Sequence, residues 1–339
     1  MRSRVAGGLA IAALAGCLTG LGIAQPATAC ACGAPTPPDG VRVTVGQEQA
    51  LVTFDGGIER IDLVLDMLAD GAETGLVLPT PTPATVSLGD TALFEALDRQ
   101  TEPPVVVRQD WWGGAGDGAA GGAPPTVLAE VDLGPVQAVT LAASDADGLR
   151  DWLDANGYGI APGVRALLGD YVARGWSFAA LKLTGEQTLD GQLEPVRFEF
   201  AAESAVYPLL LSQASDDPQS VRLYLVGDDR MEASFPDGAE LPGDVTWAGP
   251  IDEPELTPLG GYLTVVDAYF FDPGAQITGD LDIRSTGLRS DYAPPVERTE
   301  YLRLGGVPLG VVLLVVGAVF AAMLVAVAIR YAARSRRAR

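Results

Sequence analysis

The chain has 339 residues, 22 Lys plus Arg against 44 Asp plus Glu, and no His, for a net charge of −22. Without His there is no Ser-His or Cys-His catalytic pair and no His-ligated zinc. The three cysteines, Cys17, Cys30 and Cys32, are too few for a four-cysteine zinc site, and the single lysine, Lys182, forms no phosphate-binding cluster. The acidic balance argues against nucleic acid, whose affinity comes from neutralising phosphates, and 48% apolar residues is far above the disordered range.

The first 29 residues carry Arg2 and Arg4, an apolar run from Val5 to about Ala24, and Ala27-Thr28-Ala29. That is the layout of a secretory signal peptide, with cleavage expected after Ala29. Leu14-Ala15-Gly16-Cys17 also matches a lipobox, in which Cys17 would be lipidated; the tetrad also arises by chance in a Leu/Ala/Gly-rich run. Cys30-Ala31-Cys32 opens the mature chain in an oxidising compartment. A bridge between residues two apart is strained, and no basic neighbour lowers the thiol pKa before Arg42, so a structural or idle pair is expected rather than a redox centre.

Pro35-Thr36-Pro37-Pro38 reads as a stiff linker. Val41–Val45 and Ala50–Phe54 read as short strands, and Asp55-Gly56-Gly57 as a hairpin turn. The next strand alternates: Ile61, Leu63, Leu65 and Met67 face one way and Arg60, Asp62 and Asp66 the other, so Asp62 and Asp66 are expected in water. Gly75–Leu78 is a strand ended by the prolines of 79–83. Asp90 caps a helix with the stripe Leu93, Phe94 and Leu97.

Val105–Val107 is a strand, followed by Trp111-Trp112 and a Gly-rich run over 113–123. The two Trp either grip a partner or fold back on the core; they are the candidate partner contact. Val127–Leu133 and Val136–Ala142 read as strands around Gly134-Pro135. Ser144-Asp145-Ala146-Asp147 starts a helix with the stripe Leu149, Trp152 and Leu153, stopped by Asn156-Gly157; Pro162 starts a second, ended near Gly175. Together they make a helical hairpin. Strands return at 176–183, 196–200, 221–226 and 263–271, with Val196, Phe198 and Phe200 inward and Arg197 and Glu199 outward. Residues 236–258 read as a long exposed loop and 285–306 as a stalk.

Val307–Ile329 holds 23 residues without a charge. At 1.5 Å each they span about 34 Å, enough for a hydrocarbon core of about 30 Å. Arg330, Arg334, Arg336, Arg337 and Arg339 follow with no acid among them, which places that end in the cytoplasm, against anionic headgroups. Residues 30–303 then carry all 44 acids and 15 basic residues, a net charge of −29 outside the membrane.

Several segments resemble one bacterial family, catalogued as domain of unknown function 2330. They are Ala29-Cys30-Ala31-Cys32-Gly33, Phe54-Asp55-Gly56-Gly57-Ile58-Glu59, Leu76-Val77-Leu78-Pro79-Thr80-Pro81 and Leu88-Gly89-Asp90-Thr91-Ala92-Leu93-Phe94. Leu149-Arg150-Asp151-Trp152-Leu153, Asn156-Gly157-Tyr158, Trp176-Ser177-Phe178, Pro195-Val196-Arg197-Phe198 and Val206-Tyr207-Pro208-Leu209 extend the match in order. The resemblance implies an exported or membrane-anchored protein and brings no activity or catalytic residue.

The expectation is an α+β fold: a mostly antiparallel ectodomain over 30–284 with a helical-hairpin insert, divisible at about 41–142 and 143–284, plus one C-terminal transmembrane helix. It would sit in the bacterial cell membrane with its N-terminal domain outside, touch membrane lipid, and bind or scaffold another envelope protein or a glycan. No cofactor is required. The alternatives are a carboxylate-based hydrolase and a calcium-dependent surface module with oxygen ligands. Asp145-Ala146-Asp147-Gly148 lacks the later ligands of an EF-hand loop.

Overall fold

The computed structural model describes residues 33–36, 43–71, 73–110, 137–143, 145–184 and 190–337. In chain order its elements are β1 (Ala34–Thr36), β2 (Val43–Asp55), β3 (Ile58–Ala69), β4 (Glu73–Thr80), β5 (Thr85–Leu88), α1 (Thr91–Gln100), β6 (Val105–Asp110) and β7 (Gln137–Ala142). Then come α2 (Ala146–Ala155), α3 (Pro162–Ala173), β8 (Ser177–Thr184), β9 (Asp190–Gln192), β10 (Val196–Ala201), β11 (Val206–Tyr207) and a 3-10 turn at Leu210–Ala214. The last part holds β12 (Gln219–Gly227), β13 (Met231–Ser234), β14 (Gly243–Pro250), β15 (Tyr262–Phe270), α4 (Pro273–Gln276), β16 (Leu281–Ser285), β17 (Val296–Tyr301), β18 (Arg303–Leu304), β19 (Val307–Pro308) and α5 (Leu309–Arg337).

An eight-stranded sheet runs β14-β15-β12-β2-β3-β10-β5, with β9 also on β3; only the β12–β2 pairing is parallel. It takes strands from both 41–142 and 143–284. A four-stranded antiparallel sheet runs β1-β4-β8-β7, and β11-β16-β13 form a third sheet. Strand outweighs helix and the sheets are mostly antiparallel, so the fold is α+β as expected.

Period-two alternation lets each large sheet bury both faces. Ile61, Leu63 and Leu65 of β3 meet Leu76 and Leu78 of β4 and Leu181 of β8 in a core between the two sheets, closed by Leu281 and Ile283 of β16. The other face of the four-stranded sheet, with Val77, Phe178 and Ala180, packs on Leu149 and Leu153 of α2 and Val164, Leu168 and Tyr171 of α3. The other face of the eight-stranded sheet, with Leu51, Val64, Tyr224 and Val265, packs on Leu93, Phe94 and Leu97 of α1. The layers are therefore helix pair, small sheet, large sheet, helix.

The local signals hold. Asp90 and Asp145 cap α1 and α2, their carboxylates accepting from Ala92 N and Gly148 N at 2.9 and 2.6 Å. The β2–β3 turn uses Gly56 and Gly57 at φ 58° and 81°, the pair of positive values a two-residue hairpin needs.

Other expectations need correction. The segment starting at Pro35 is not wholly linker: β1 pairs with β4 at Ala34–Val77, Pro35–Leu76 and Thr36–Gly75, as an outer strand where proline is tolerated. The two short strands at 41–54 are one strand, β2, with a bulge between Val45 and Glu48. β4 runs through Pro79 to Thr80, where among the described residues β8 alone pairs with it. Asp62 is buried, at 1% exposure, because α1 covers part of the face expected to be wet; Asp66 is exposed as expected. Within 236–258, β14 adds to β15 as an outer strand, with prolines and glycines at its ends hiding it from pattern reading. Residues 285–306 carry β17, which pairs in parallel with β6, and β18, whose hairpin partner β19 takes up Val307–Pro308, so the helix expected from Val307 starts at Leu309. The proposed strand at 127–133 lies outside the described residues.

Candidate functional site

A dense buried polar grouping surrounds the segment 205–210. Val206 N donates to both carboxylate oxygens of Glu59, at 3.0 and 3.2 Å. Tyr207 Oη donates to Glu48. Leu209 N and Leu210 N donate to Asp280 Oδ1 at 2.9 and 3.0 Å. Three carboxylates from β2, β3 and the turn before β16 thus grip one short stretch.

Each acid stands at a position that strand geometry turns inward. Glu59 shares its face with Ile61 and Leu63, and the bulge in β2 brings Glu48 onto the face of Ala50 and Val52. Glu48 and Glu59 are wholly buried. Burial pushes the Glu59 carboxyl up to about 8, with the Val206 N–H acting against it, because an apolar surround penalises the charged form. Asp280 also accepts from Tyr171 Oη at 2.5 Å and from Arg174 at 2.7 Å. Burial, then the Asp280 charge, raises the Tyr171 phenol well above its ordinary value. Arg174 lies over the rings of Tyr171 and Trp176 at 4.3 and 4.6 Å.

The grouping is a lock in its geometry: its carboxylates are spent on backbone N–H groups, two phenols and the half-exposed Arg174 guanidinium. The sequence signal for it was available, since Glu59 falls in the inward register of β3.

On the opposite face of the large sheet, ion pairs cross between register partners. Arg197 Nε reaches Asp62 at 2.7 Å, Arg60 reaches Glu199 at 2.8 Å, and Arg222 grips Asp267 with two bonds of 2.6 and 2.9 Å. Burial raises the Asp62 carboxyl even with Arg197 and Arg60 opposing it. Beyond this row, Tyr269 and Phe271 stand 4.5 Å apart, edge to face, at 46% and 74% exposure.

Cys30, Cys32, Trp111, Trp112 and Arg339 lie outside the described residues. Arg330 and Arg334 are exposed on α5, and Arg336 and Arg337 belong to its last turn. Among the described residues no three Asp, Glu, Cys or His are grouped as metal ligands. Among the described residues one helix, over Leu309–Arg330, is long and apolar enough to cross a membrane.

Residues 26–284 match the model of a family described as an uncharacterized protein conserved in bacteria, DUF2330. The chain belongs to this family. Two segments that carry the resemblance, 54–59 and 206–209, meet at the Glu59–Val206 contact. No curated protein matches the chain. Among solved structures, baculovirus P35 aligns over 74% of this chain and 96% of its own, at 8% identity and a TM-score of 0.36, a likeness too slight to carry an argument.

Proposed function

We propose that this member of the family is a single-pass protein of the bacterial cell membrane. It displays an acidic α+β domain outside the cytoplasm, where the domain binds or scaffolds another envelope protein or a glycan. The observation that carries the reading is α5. Within Leu309–Arg330 an 18-residue window has a mean hydropathy of 3.0, and none of that window is buried against the described residues. A helix that is apolar all round needs either a core or a lipid phase to cover it, and no protein core covers this one. The arginines beyond it argue for a cytoplasmic tail, and the leader-like residues 1–29 for export of what lies between. Tyr269 and Phe271 support the binding half of the reading, because aromatic residues are enriched at protein interfaces.

Protease treatment of intact cells tests this. The expected result is digestion of the domain with a membrane-protected fragment that contains α5 and the arginine tail. A domain that stays intact until the cells are lysed contradicts the orientation.

A further inference from the structure

The stretch leading into α5 is a braced strut. Tyr292 and Ala248 exchange two backbone hydrogen bonds, with N···O distances of 2.7 and 2.6 Å. Val296 N donates to Pro104 O at 3.0 Å, and from there β17 pairs with β6 up to Tyr301–Asp110. Only Leu302 separates β17 from the β18–β19 hairpin, which turns at Gly305 and Gly306 with φ 61° and 83°. Leu309 N, the first residue of α5, donates back to Leu302 O at 2.8 Å. Helix, hairpin and strand are thus tied together by backbone bonds, with little slack between them.

That hairpin presents apolar side chains. Leu302, Leu304 and Val307 are 42%, 61% and 43% exposed, and Val105, Val106 and Val296 at the base of the β6–β17 ribbon are each about half exposed. Each square ångström of such surface left in water costs about 25 cal/mol. The hairpin's share of that surface, Leu302, Leu304 and Val307, adjoins a helix that itself needs lipid, whereas Val105, Val106 and Val296 stand at the far end of the ribbon. Amphipathic segments in this position settle at the headgroup–acyl boundary, and Arg303, exposed between the two leucines, suits the phosphates there.

We infer that the β18–β19 hairpin beds in the outer interface of the bilayer that α5 crosses, so that the domain is held down on the lipid at a fixed tilt rather than swinging on a tether. The inference rests on the membrane-anchored reading above, and it adds a partner surface to it: phospholipid, contacted by Leu302, Leu304 and Val307.

The test places a diazirine amino acid at one position at a time in the full chain, reconstituted in phosphatidylcholine–phosphatidylglycerol vesicles. The positions are 304, 315 and 271, and lipid adducts are read by mass spectrometry. Position 315 lies within α5; position 271 follows the end of β15, away from the Tyr262 end that hydrogen-bonds Asp291, across nine residues or roughly 30 Å of strand. Adducts are expected at 304 and 315 and not at 271. Adducts at 315 alone overturn the bedded hairpin and leave the anchor standing. Adducts at neither 304 nor 315 remove the anchor as well. Equal labelling at 271 and 304 overturns the fixed tilt.

Discussion

Glu59 is where a single residue says most about the folded state. Its carboxyl titrates near 8 in the folded chain, whereas an unfolded glutamate titrates near 4.3. Between those values the folded chain holds a proton that the unfolded chain has lost, so stability falls as pH rises through the window. The shift corresponds to roughly 4–5 kcal/mol once both states are ionised. Glu59→Gln keeps an acceptor for Val206 N and cannot ionise. Denaturant melts should therefore show the variant gaining on the parent chain by several kcal/mol between pH 5 and pH 8.5; parallel curves would count against a buried, neutral Glu59. Gly75 makes a second case. A Cβ there would lie 2.0 Å from Thr36 Oγ1 and 2.5 Å from Tyr158 Cδ1. Gly75→Ala should cost about 1–3 kcal/mol in a thermal melt, and an unchanged midpoint would mean the ring and strand β1 shift freely. For neither residue was the partner legible in the sequence. Alternation along β3 does mark Glu59 as inward, but its partner, Val206, is 147 residues away. Gly75 looks like any strand glycine until Tyr158 is placed over it.

Elements were legible in proportion to how local their causes are. A helix end is decided by a few neighbouring residues: Asp90 accepts from Ala92 N, Pro162 sits in the first turn of α3, and Gly157 and Gly175 take φ 82° and 77° just past α2 and α3. Replacing Asp90 by Ala should therefore cost about 1 kcal/mol, read as a shift in the denaturant midpoint with an unchanged slope; a change in slope would mean that α1 detaches from the sheet altogether. Strands are decided by what lies beside them. β14 forms because β15 offers it an edge, and β1 because β4 does, against the local advice of their prolines. Asp62 was expected in water since a period-two pattern says which face a residue is on, and nothing in it says that a helix starting at Thr91 will cover that face. The same blindness hid the pairing of Asp62 with Arg197 across β3 and β10.

At the scale of the whole molecule the three apolar clusters lie entirely within residues 34–283, and the apolar stretch of α5 adds nothing to them. Stability of the domain should then be independent of α5. A chain ending at Leu304, if residues 1–29 direct export as proposed, should leave the cell, stay in solution and unfold in one cooperative transition. Its melting midpoint should match that of the detergent-solubilised full chain within about 4 °C, the shift that roughly 1 kcal/mol produces in a domain of this size. Circular dichroism of the two proteins at one pH and salt concentration makes the comparison. The net charge of −29 over residues 30–303 favours solubility of the released form, since like-charged molecules resist association. A fall of tens of degrees, or aggregation on release, would mean that α5 belongs to the core of an assembled particle, and the division of labour between a self-sufficient domain and a lipid-embedded helix would be lost.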